Sequence, residues 1–182
     1  YNMAFARPIQ WIVALYDGQG VPLEIEGVGC GRTTRGHRFM APAEFEVGGI
    51  DEYLTKLAEH FVLVDPVQRR AKVIEEIQRA VREGAGNPDA QPILHEGLLD
   101  TVTNLVEYPY GVCGHFERKF LQLPEETLVT SMREHQKYFP VVGPDGKLLT
   151  LFVEVNNTRV VDQALAANGH ERVLRARLED GL

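Results

Sequence analysis

Apolar and polar positions along the chain switch repeatedly between the two-residue rhythm of a strand and the longer rhythm of a helix. Residues 9–16 are an apolar stretch, Asp17-Gly18 supplies a turn that tolerates positive φ, and residues 21–25 return, which predicts a β-hairpin. Gly27, Gly29 and Gly31 follow, with Arg32, Arg35, His37 and Arg38, as a loop or irregular strand. The acidic stretch 43–60 carries a predicted helix from Asp51, and residues 61–64 read as a short strand. Asp65-Pro66 is a strong helix start, because Asp caps free amides and proline loses nothing at the first helical position. Val67, Ala71, Ile74, Ile77 and Val81 then fall on one face, and Gly84 and Gly86 stop the helix.

Residues 84–92 form a turn-rich connector. Leu98, Leu99, Val102, Leu105 and Val106 make another apolar helical face, which must end near Tyr108 because Pro109 follows. Residues 112–116 read as a strand, and Pro124-Glu125-Glu126 opens a further helix whose far end carries Arg133, His135 and Lys137. A second hairpin is predicted from residues 138–142, the turn 143–146 and residues 148–155. Asn168 and Glu171 have the spacing of a capping box for a last helix over 172–178. Interspersed strands, hairpins and three to five helices predict an α+β fold with a mixed or antiparallel sheet. No internal repeat is present, and the pattern stops soon after the last helix, as in a piece of a longer polypeptide.

Composition narrows the function classes. With 182 residues, 44% of them hydrophobic and 25% charged, the chain has the make-up of an ordinary globular protein. No run approaches a membrane span, and the first residues carry no charged-then-apolar signal pattern. Cys30 and Cys113 form no CxxC pair, so a reducing cytoplasm is the expected home. The net charge of −7 repels nucleic acid on average, so any such role must rest on local basic patches, and neither DNA nor a membrane is an expected partner.

Two polar clusters stand out. Residues 31–38 hold Arg32, Arg35, Arg38 and His37 without an acid, yet the glycines lack the spacing of a dinucleotide or phosphate loop. Arginine forks suit phosphate or carboxylate; equally, these arginines can neutralise the acidic stretch from Glu44 to Glu59. The second cluster, Arg133, His135, Lys137 and Tyr138, suits RNA backbone and unstacked bases, and equally suits a helix C-terminus without any ligand. The six histidines form no HxxxH or HExxH pattern, so no metal site is expected. Ser131 lies four residues before His135, without an evident orienting acid or oxyanion hole, so no catalytic residue is assigned.

Five blocks in sequence order carry a family resemblance: residues 5–15, beginning Phe5-Ala6-Arg7-Pro8; 31–39, ending Gly36-His37-Arg38-Phe39; 105–109; 132–141, with Gln136-Lys137-Tyr138-Phe139-Pro140; and 171–178. Together they resemble the β subunit of the bacterial two-subunit, heterotetrameric glycyl-tRNA synthetase, within its N-terminal half. The resemblance implies an α+β module over 1–166, comparable to the B3/B4 module of phenylalanyl-tRNA synthetase β subunits, with 167–182 as the start of a following HD-like helical domain. It implies a ligase whose α subunit activates glycine with ATP and Mg, while this portion uses no cofactor. The implied partners are that α subunit and tRNA(Gly). Arg32, Arg35, His37, Arg38, Arg133, His135, Lys137 and Tyr138 are then expected to line a surface for tRNA or the partner subunit. A hydrolytic editing-like module acting on mischarged tRNA and a purely structural spacer remain the alternatives.

Overall fold

The structure is a computed structural model that describes residues 8–180; Phe5, Ala6 and Arg7 of the first block lie outside the described residues. Its elements divide into two compact units, one ending at Val64 and the next beginning at Asp65. Strands and helices are interspersed throughout, and the fold is α+β.

The first unit is built from short strands. β1 (Ile12–Val13) pairs in parallel with β5 (Val28–Gly31), which also pairs antiparallel with β4 (Glu24–Ile25). β2 (Leu15–Tyr16) and β3 (Gln19–Gly20) form the first hairpin. Its turn residues Asp17 and Gly18 both have positive φ, the conformation that matches strand twist across a two-residue loop. The predicted hairpin is thus two tighter ones, since β4 and β5 turn about Glu26-Gly27, also at positive φ. β6 (Thr33–Arg35) pairs antiparallel with β7 (Glu44–Glu46), and α1 (Ile50–Glu59) closes the unit. Among the described residues of this unit, Val47 and Leu57 are the buried apolar side chains.

Residues 61–64 are not a strand. Phe61 adopts left-handed φ at 61°, and the amides of Phe61 and Val62 return to the carbonyls of Ala58 and Leu57. That pattern of bonds closes the end of α1 and leaves those amides unavailable to a sheet.

The second unit packs helices on both faces of an antiparallel sheet. α2 (Pro66–Gly84) starts as the sequence predicts, with Asp65 Oδ1 accepting from the Val67 amide at 2.8 Å and Pro66 in the first turn. Its buried face, however, is Val73, Glu76, Ile77, Ala80 and Val81, while Val67 is 75% exposed. The sheet runs β8 (Gln91–Pro92), β10 (Phe139–Val142), β11 (Leu148–Asn156), β9 (Tyr110–His115). α3 (Glu96–Leu105) packs on α2; it ends at Leu105, with Val106 already extended.

Alternation along β11 divides the interior. Leu151, Val153 and Val155 join Val73, Ile77, Leu98, Leu99 and Val102 in one core. Leu148 and Phe152 face the other way, into a core with Phe120, Leu128, Met132, Leu174 and Leu178. That second core is covered by a 3-10 turn (Arg118–Gln122), α4 (Glu125–Thr130), a π-helical turn (Ser131–Gln136) and α5 (Gln163–Glu179). α5 begins well before the predicted capping box: Asp162 caps the Leu165 amide at 2.9 Å, and Asn168 sits inside the helix. Glu171 instead accepts the His115 amide at 2.8 Å, at the end of β9. Among the described residues, no helix is long and apolar enough to cross a membrane.

Candidate functional site: two basic clusters

The first cluster follows from β6. Thr34 faces inward while Thr33 and Arg35 face out, so the strand presents Arg35 at its end. Gly36 then lets the chain pass against the end of α1: a Cβ there would lie 2.5 Å from His60 Cβ and 2.7 Å from the Ala41 and His60 carbonyl oxygens. This close approach allows the His37 amide to donate to the His60 carbonyl at 2.8 Å. His37 is only 1% exposed, and its Nδ1 accepts from the Phe39 and Met40 amides, each at 3.3 Å. A side chain so buried offers no surface to a macromolecule, which corrects its assignment: His37 shapes the turn that carries its neighbours.

The three arginines meet different fates. Arg32 is half-buried and donates to the Gly18 carbonyl at 2.6 Å, tying β5–β6 to the first hairpin. Arg35 donates through Nε and Nη2 to Glu44 Oε1, at 3.1 and 2.5 Å, and its guanidinium lies 5.5 Å from the Trp11 ring centre. Pairing with the acidic stretch is therefore realised at Arg35, although both partners remain about half exposed. Arg38 is exposed, lies 5.4 Å from the Phe39 ring centre, and forms no ion pair among the described residues.

The second cluster belongs to the other unit. The π-helical turn brings bonds of i→i+5 type, a wider turn common at functional sites. It ends at Lys137, in left-handed conformation with φ 62°, and the Tyr138 amide closes it onto the Met132 carbonyl at 2.9 Å. Arg133 donates to Glu134 at 2.7 Å, and that hydrogen bond holds the Glu134 carboxyl below its ordinary range. Lys137 donates to the Glu134 carbonyl at 2.8 Å and forms no ion pair among the described residues. His135 is exposed and lines an open groove with Ser131, Thr127, Thr130, Arg177, Glu126 and Asp180.

Tyr138 is 3% exposed and stacks on Phe152, with ring centres 4.7 Å apart. Its hydroxyl lies 3.5 Å from His170 Nδ1, and His170 pairs with Glu154. Burial, reinforced by the Glu154 charge, pushes the phenol well above its ordinary pKa, so it stays neutral. Tyr138, like His37, is therefore a supporting residue and not part of the surface.

The structure thus gathers Arg32, Arg35 and Arg38 about one short segment, and Arg133, His135 and Lys137 about another, with His37 and Tyr138 beneath. Sequence reasoning missed Trp11, 44% exposed, and Phe39, 74% exposed, as members of the first surface. The available signal was the direct succession Arg38-Phe39. It also missed Arg177, which reaches the His135 groove from α5. Among the described residues, no three histidine, cysteine or acidic side chains converge as a metal site would require.

Residues 1–182 match a family described as Glycyl-tRNA synthetase beta subunit. A protein of Syntrophus aciditrophicus named Glycine--tRNA ligase beta subunit is 51% identical over 179 residues, covering 98% of this chain and 25% of the relative. Proteins of the same name from Syntrophotalea carbinolica and Citrifermentans bemidjiense are 49% and 47% identical, over 100% and 99% of this chain and 26% of each relative. The chain thus spans about a quarter of the length of the curated relatives it matches.

Proposed function

Because the chain belongs to the glycyl-tRNA synthetase beta subunit family, we propose that it serves glycyl-tRNA formation by contacting tRNA(Gly) and helping assembly with the α subunit, without itself making the adenylate. ATP and Mg act in that companion subunit, this portion needs no cofactor, and the setting is the cytoplasm. The observation that carries the reading is the state of Arg38, His135 and Lys137. In an acidic chain, these basic side chains stand at or near the surface with no ion pair among the described residues. A fold-stabilising cation is normally compensated; an uncompensated one is available to a phosphate. Arg32 and Arg35 in the first cluster, and Arg133 in the second, are already engaged.

The test is tRNA binding by the intact two-subunit enzyme over a salt series. Arg38→Glu and Lys137→Glu should each weaken binding and flatten the log–log salt slope by about one unit. Unchanged affinity, slope and aminoacylation in both variants would refute both clusters as contact surfaces.

A second reading, hydrolysis of mischarged tRNA, draws on one observation: Ser131 and His135 line the same groove as Arg177. Under it, Ser131→Ala in the intact enzyme abolishes deacylation and leaves aminoacylation intact.

A further inference from the structure

We propose that Trp11 and Phe39, each covered on one side by an arginine, form a stacking platform for unpaired nucleotides, so that this surface takes single-stranded RNA. The proposal rests on the RNA-contacting reading above and names the form of RNA that the first cluster accepts.

Both rings are large apolar surfaces left in water although their unit is short of buried apolar side chains. Neither is loose. Trp11 lies against the Arg35 guanidinium, which Glu44 holds in place. Phe39 rides on the turn that the buried His37 pins through the Phe39 and Met40 amides. Pre-set aromatics lose little freedom on binding, which favours stacking.

The charges around them differ in a way that matches a nucleotide strand. Arg35 is neutralised by Glu44, so it contributes a flat delocalised face more than a charge. Arg38, directly before Phe39, has no carboxylate among the described residues and keeps its charge for a phosphate. A ring for a base and a cation for its phosphate therefore stand on adjacent residues. Duplex RNA hides its base faces inside its own stack and can use only the cation. Unpaired nucleotides can use both.

The experiment uses the intact two-subunit enzyme with two probes, an unstructured oligoribonucleotide and a blunt RNA duplex of equal length, followed by fluorescence anisotropy over a salt series. Phe39→Ala and Trp11→Ala should each weaken single-strand binding by about five- to one-hundred-fold, leave the salt slope unchanged, and spare duplex binding. Phe39→Tyr and Trp11→Phe, which keep a stacking ring and guard against a folding artefact, should restore single-strand affinity. Equal loss on both probes, no loss on the single strand, or loss of subunit assembly in place of RNA binding would overturn the platform. Wild-type enzyme that binds neither probe and no tRNA would overturn the underlying reading as well.

Discussion

Replacing Glu76 by alanine tests the energetics of the second unit most directly. This carboxylate is 5% exposed on the core face of α2, and its Oε2 accepts from Arg79 Nη2 at 2.8 Å, Arg79 Nε at 3.0 Å and the Gly111 amide at 3.2 Å. Lys72 adds a longer contact at 3.3 Å. Burial alone pushes the carboxyl upward in pKa, but the bonds from Arg79 and Gly111, with the charges of Arg79 and Lys72, more than offset it, so the net shift is downward. Breaking one side of a buried ion pair costs about 3–5 kcal/mol, and an orphaned backbone amide about 1–3 kcal/mol. These overlap, because Arg79 can fall back on Glu83 and the Gly111 carbonyl.

The expected loss for Glu76→Ala is therefore near the low end, about 3 kcal/mol, read from the urea midpoint at constant m. Glu76→Gln keeps an acceptor for the Gly111 amide and should cost roughly half as much. The pH dependence has a definite sign. A folded pKa below the unfolded value means that the contribution is complete above the unfolded value of about 4.3 and is lost as pH falls through the folded one. The gap between wild type and Glu76→Ala should thus narrow in acid. A loss under about 1 kcal/mol, or a gap that widens on acidification, would refute the reasoning.

Two further outcomes follow from packing. Burial, assisted by the Glu171 charge, raises the Cys113 thiol from 9.0 to about 11, which leaves about one-hundredth of the ordinary thiolate at pH 8. Iodoacetamide should therefore modify Cys113 at least tenfold more slowly in the folded chain than in urea, as read by peptide mass spectrometry. Gly36→Ala places a methyl group 2.5 Å from His60 Cβ and should destabilise the first unit by about 1–3 kcal/mol, seen as faster amide exchange in β6 and α1.

Motifs whose own atoms make the deciding bond were legible: the Asp65 side chain caps its helix and Asp17-Gly18 turns at positive φ, both where the pattern puts them. Elements whose residue pattern suits two outcomes were misread. Phe61 to Val64 look like a strand by composition, but the first two amides are spent on closing α1. Asn168 and Glu171 have capping-box spacing, yet the real cap is Asp162, and the Gln163-Ala164-Leu165-Ala166-Ala167 run extends the helix by propensity without an apolar stripe to reveal it. The buried face of α2 includes Glu76, which no hydrophobic pattern can reveal because its burial depends on Arg79 and Gly111. Two residues of the candidate site show the same ambiguity: His37 and Tyr138 read as contact residues by type, but both are buried, His37 accepting from backbone amides and Tyr138 stacking on Phe152.

The π-helical turn Ser131–Gln136 carries one residue more than an ordinary helix would use over the same rise. Excising a single codon there would let the coil tighten into α form while keeping the reading frame. The shortened chain would swing the outward-facing side chains through about a quarter turn, drawing His135 out of line with Arg177. Length variation at this spot would therefore act as a selector of what the groove displays, and because Met132 sits in the same turn it would also disturb the hydrophobic interior there.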